Sequence, residues 1–145
     1  MNVILELDNF RSDVLSFLNA DQSPFYRQVG KILLNATYKN FDAEGAYFDR
    51  GNFWTPLADS TIKRRGSADN ILRPPTSGVK MWSTINYTAT NDGVEIGTNL
   101  AYAKYLHFGT KYMPARPIFP ENELPPEVLE DIVDAYTRFV NRLMN

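Results

Sequence analysis

The chain has 145 residues, 43% of them hydrophobic and 13% aromatic, which suits one folded domain with a single core and argues against wholesale disorder. A formal net charge of -2 gives no overall pull toward nucleic acid or anionic membrane, and the absence of cysteine excludes disulfides, a thiolate nucleophile and Cys-type zinc sites. No apolar run approaches the roughly 20 residues needed to cross a bilayer, and the first 19 residues lack the basic-then-apolar pattern of a secretory signal, so a soluble protein is expected.

Val3, Leu5 and Leu7 alternate with Asn2, Ile4 and Glu6, which predicts an edge strand over 2–7, and Phe10, Val14, Phe17 and Leu18 follow at helical spacing. Ser23-Pro24 reads as a helix start, with serine as N-cap and proline at the first position. Phe25, Val29, Ile32, Leu33 and Ala36 then form an apolar stripe, and Gly45 is the expected stop of a helix over about 24–44. Residues 46–80 are punctuated by glycine and proline and read as long loops. They hold one short helix from Asp59 to about Arg65, capped by Asp59 or Ser60. The segment 64–80 is expected to be poorly ordered in an isolated monomer.

Ile85, Tyr87 and Ala89 alternate with polar neighbours, Asn91-Asp92-Gly93 turns the chain, and Val94 and Ile96 resume the alternation, giving a hairpin over 84–98. Glycine is expected to supply a positive φ in that turn. Thr98-Asn99 can cap a helix over 101–108 that Gly109 ends, and Tyr102, Tyr105 and Phe108 are spaced to press an aromatic face onto the sheet. Pro114, Pro117 and Pro120 impose an extended path. The tail, 126–143, carries a broad apolar face of Val128, Leu129, Ile132, Val133, Tyr136, Phe139, Val140 and Leu143, with acids at its start and arginines at its end as the macrodipole prefers. The predicted architecture is α+β in a single domain over 1–145. A small antiparallel sheet is packed by the two longer helices, with long loops between 46 and 80.

Catalytic options are few. The single histidine, His107, lies between Leu106 and Phe108, which suits a packed or interface position, and no nucleophile-elbow pattern accompanies it. No metal-binding motif or phosphate-cradling glycine motif is visible, so no metal, cofactor or catalytic residue is expected. A carboxylate pair such as Glu44 and Asp49 leaves a small hydrolase or nuclease as an alternative. Lys63-Arg64-Arg65 with Arg73 is the one candidate phosphate-binding patch, where Trp54 or Trp82 could stack on bases.

Charge is uneven along the chain. Residues 51–80 hold Lys63, Arg64, Arg65, Arg73 and Lys80 against Asp59 and Asp69. Residues 121–145 hold six acids against Arg138 and Arg142. A basic middle and an acidic tail can be two solvated surfaces, or can meet across a subunit contact.

Several blocks occur in a fixed order. They are Trp54-Thr55-Pro56-Leu57 with Thr61 and Lys63; Ile71-Leu72; Ser77-Gly78 with Met81, Ser83 and Ile85; Val94-Glu95-Ile96-Gly97-Thr98-Asn99 running into Tyr102-Ala103 and Phe108-Gly109; and Pro114-Ala115-Arg116-Pro117 with Ile118-Phe119. Together they resemble the phage virion-morphogenesis, or tail-completion, family, which includes Mu-type G and related proteins. Leu106-His107 departs from the His-Gln pair usual there, and Arg73-Pro74-Pro75-Thr76 replaces a simpler connection. The resemblance implies a non-enzymatic virion subunit that completes the tail or joins it to the head. It also implies a homo-oligomeric ring around the DNA passage, with tail-tube and head-connector proteins as partners and no sequence-specific nucleic-acid or membrane binding. The implied location is the virion, with the host cytoplasm during assembly. Trp54, Lys63, Arg64, Arg65, Arg73, Tyr102, His107, Phe108 and Arg116 are the expected interface or motif residues. Arg116, framed by prolines, suits a bidentate contact to a carboxylate, either internal or on a neighbour.

Overall fold

The computed structural model describes residues 18–74, 80–121 and 123–145; the strand expected over 2–7, most of the helix expected over 10–18 and part of the segment 64–80 lie outside them. The order of elements is α1 (Ser23–Asp42), α2 (Asp59–Arg65), a 3-10 turn (Met81–Thr84), β1 (Asn86–Ala89), β2 (Val94–Gly97), α3 (Ala103–Phe108) and α4 (Pro126–Met144). This is the α+β arrangement that the periodicities predict.

Helix α1 is central, with the hairpin packed against it and α4 lying along it. Its start differs from expectation. Gln22 occupies the cap position without a side-chain bond, and Asp21 accepts the Ser23 N–H and hydroxyl at 3.0 Å each. Those bonds hold the Asp21 carboxyl below its ordinary value. At the other end the Gly45 N–H reaches back to the Asn40 carbonyl (2.9 Å) with φ 93°, so the expected stop is in place.

The hairpin pairs Asn86 with Gly97 and Ala89 with Val94, leaving a four-residue loop from Thr90 to Gly93. The Thr90 N–H donates to the Gly93 carbonyl (2.8 Å), and the Thr90 hydroxyl accepts the Asp92 N–H (3.2 Å). Gly93 does not take a positive φ, so the turn works through threonine's hydroxyl and not through glycine's freedom. Gly30 lets the hairpin approach α1, because a Cβ there would lie 2.2 Å from the Tyr87 ring.

Phe41, Trp54, Leu57, Ile71, Leu72, Met81, Ile85, Ala103 and Ile118 form the main core between α1, the loops and α3. A smaller cluster of Ala36, Phe48 and Val128 joins α1 to α4. Further along, the Phe25 ring meets Tyr136 and Phe139 at 5.3 and 6.0 Å between centroids. Only part of the tail's apolar face is covered: Val128, Ala135 and Phe139 are buried, whereas Leu129, Val133 and Tyr136 are exposed. One neighbouring helix covers a narrower arc than eight apolar residues span.

Two further expectations change. Helix α2 has Ala58 at its cap position, with no side-chain capping bond from Asp59 or Ser60. Helix α3 begins at Ala103, so Thr98 accepts the Leu100 N–H (3.2 Å) one turn earlier and caps nothing in the helix itself. Within 64–74 the chain is anchored: Ile71 and Leu72 are buried, and the Ile71 N–H donates to the Glu44 carboxylate (3.1 and 3.3 Å).

Candidate functional site

Arg116 lies in the proline-rich strap after α3 and is buried, at 7% exposure. Its Nε donates to the Thr55 carbonyl (2.8 Å) and its Nη2 to the Pro56 carbonyl (2.9 Å), while its own N–H donates to the Leu106 carbonyl (2.8 Å). The expected carboxylate partner is replaced by two successive backbone carbonyls. That geometry suits a guanidinium, whose donors form a rigid fork. Burial, followed by repulsion from Arg65, lowers its pKa from the ordinary value.

The same strap is fastened at two more points. The Trp54 indole N–H donates to the Pro117 carbonyl (2.7 Å), and Trp54 is buried against Phe41 with ring centroids 5.6 Å apart. His107 Nδ1 accepts the Ile118 N–H (3.0 Å) and, more weakly, the Phe119 N–H (3.4 Å). Its Nε2 faces Glu121 at 3.3 Å. Accepting at Nδ1 places the imidazole proton on Nε2, so the lone histidine acts as a backbone acceptor that fastens the strap. Together Trp54, His107 and Arg116 lock residues 116–119 between the 54–56 segment and α3.

Over this clamp opens a groove of about 730 Å³, walled by α2, the 71–74 segment, Met81, α3 and residues 112–116. Its walls are largely apolar, with Leu57, Ile71, Leu72, Met81, Leu106 and Met113 among them. Its lining holds three cations, Arg65, Lys80 and Arg116, and no carboxylate.

The expected basic patch divides. Lys63 and Arg64 are exposed on α2, whereas Arg65 is half-buried and donates to the Asn70 and Ile71 carbonyls (3.3 and 3.1 Å). Arg73 turns away to pair with Asp42 (2.9 Å) and lies over the Phe41 ring, outside the groove lining. Neither tryptophan lines the groove: Trp54 is buried, and Trp82 is half-buried with its ring nearly perpendicular to that of Tyr38. Tyr102 lines the groove, whereas Phe108, 74% exposed, borders a shallower cleft with His107. The aromatic face expected to press on the sheet is thus mostly outside. Residues spaced by three drift around a helix, and Ala103, Leu106 and His107 take the inward side.

Glu44 and Asp49 have separate partners, the Ile71 N–H for Glu44 and the Asn52 side chain for Asp49. Among the described residues no group of three metal-ligating side chains occurs, and no helix is long and apolar enough to cross a membrane. Sequence reasoning missed Lys80 as a groove residue, Glu44 as an anchor and Asn40, fully buried with its Oδ1 accepting the Phe48 N–H (2.9 Å). Asn40 had a visible signal, because it falls four residues after Ala36 on the apolar stripe of α1.

The phage virion morphogenesis family matches residues 6–138, nearly the whole chain. The chain belongs to that family. No curated protein and no solved structure matches it. The assignment agrees with the resemblance read from the ordered blocks, and those blocks have a physical meaning in the fold. Trp54-Thr55-Pro56 and Pro114-Ala115-Arg116-Pro117 are the two halves of the clamp, while Leu57, Thr61, Ile71-Leu72, Met81 and Tyr102 line the groove. Membership of this family supports a phage structural or assembly role for a virion-associated protein.

Proposed function

We propose that this chain is a non-enzymatic subunit of a tailed-phage particle that completes the tail or joins it to the head. It acts by self-association into a ring and by docking tail-tube and head-connector proteins. Its place is the head–tail junction or the tail end, with DNA passing nearby and no sequence-specific contact to it. The family match over residues 6–138 carries this reading. The clamp supports it, because Trp54, His107 and Arg116 spend their polar atoms on fixing backbone in place, as a scaffold requires.

The test is complementation in vitro. Particles assembled without this protein should accumulate as separate filled heads and tails. Adding purified protein should restore joined, infectious phage and leave the protein in the finished particle. Normal joining in its absence, or its absence from mature particles, would overturn the proposal.

A further inference from the structure

The groove and the outer face of α4 are complementary in apolar character and in sign of charge. Resting on the self-association just proposed, we infer that α4 of one copy seats its exposed apolar stripe in the groove of the next copy. The stripe consists of Leu129, Val133 and Tyr136, at i, i+4 and i+7, with Val133 60% exposed. Glu130 and Asp134 border it, both exposed and without an ion-pair partner among the described residues.

The groove can cover Leu129 and Val133. Its apolar walls can take leucine and valine side chains, and Arg65 and Lys80 find no carboxylate partner among the described residues. An uncompensated cationic rim around an apolar floor favours an acidic amphipathic helix over a bare phosphate chain. A phosphodiester brings charge without an apolar face to fill the groove's bed of Leu57, Ile71, Leu72 and Met81. No residue of α4 lines the groove of its own chain, so each copy offers both surfaces at separate places. Such a contact is heterologous, the type that closes into a ring when the rotation per subunit allows it.

The chain contains no cysteine, which makes disulfide trapping clean. Thr61→Cys, in the groove, and Val133→Cys, on the stripe, are mixed as separate single variants under mild oxidation, beside native mass spectrometry of the unmodified protein. The expected result is a covalent dimer holding one of each variant, and a closed multimer from the double variant. In parallel, Glu130→Lys or Lys80→Glu alone should raise the assembly midpoint about twofold to fivefold, as surface charge pairs do, and the two together should recover most of it.

A multimer that forms without the Thr61–Val133 bridge overturns this pairing and leaves the assembly role standing. A monomer at every concentration that also fails to complement overturns both. Bridging of Val133→Cys within one chain to a cysteine placed at Val14 would assign the stripe to the chain's own N-terminal segment. Loss of binding to a DNA duplex in Lys80→Glu, with assembly unchanged, would assign the groove to phosphate.

Discussion

Arg116→Ala removes the guanidinium whose Nε and Nη2 hold the Thr55 and Pro56 carbonyls at 2.8 and 2.9 Å. A hydrogen bond to a charged group contributes about 1.5–3 kcal/mol. Two such bonds would sum to about 3–6 kcal/mol, but Thr55 and Pro56 are exposed residues, so water can recover part of the loss. The expected cost is therefore about 2–4 kcal/mol, which lowers Tm by roughly 5–12 °C for a domain of this size. Arg116→Lys should recover less than half, since an ammonium cannot present two fixed donors to two carbonyls. Thermal and urea unfolding followed by circular dichroism measure both variants. The reasoning fails if Arg116→Ala unfolds within about 2 °C of the parent, for the arginine would then contribute nothing to the fold.

Gly45→Ala should destabilise by about 2–4 kcal/mol in urea titrations, because the site has φ 93° and a Cβ would lie 2.5 Å from the Trp54 ring. A fully folded, equally stable variant would contradict that packing. Tyr47→Phe tests a pH dependence. Burial, and then the hydrogen bond to Glu127, raise the Tyr47 phenol above its ordinary value of 10.0, so its contribution is present below that value and is lost as pH rises through the raised one. The stability gap between parent and variant, about 1 kcal/mol for one exposed bond, should stay level up to pH 10 and shrink beyond it. A gap that widens with pH would reverse the assignment. Lys63→Gln with Arg64→Gln should shift unfolding by under about 0.5 kcal/mol, since both side chains are exposed on α2.

Periodicity made α1, α4 and the hairpin legible, because each buries one face and the spacing of apolar residues records it. The clamp was legible only as a set of residues. Trp54, His107 and Arg116 stood out, but their acceptors and donors are backbone groups of Thr55, Pro56, Pro117 and Ile118, which leave no trace in side-chain pattern. The same holds for Glu44, whose partner is an N–H of residue 71. The basic run misled for a related reason: adjacency in sequence put Arg65 and Arg73 together with Lys63, while tertiary contacts sent Arg73 to Asp42. In the hairpin turn the position was right and the cause wrong, since threonine at 90 and not glycine at 93 closes the loop.

Two elements carry more apolar surface than their own fold covers, and the excess is not scattered. On α4, Leu129 and Val133 adjoin buried Val128 and half-buried Ile132 yet face outward; Tyr105 and Phe108 on α3 and Tyr112 beyond it are exposed as well. Isolated exposed apolar residues need no explanation, but rows of them at helical spacing on the two elements flanking a strap locked by three side chains do. A two-stranded sheet stabilises little by itself, so this domain leans on α1 and on the strap for its integrity. On the assembly role proposed above, a groove braced by the clamp would lower the ordering cost that association must overcome. On that reading the clamp and the exposed faces serve one requirement, a surface that is fixed before its partner arrives.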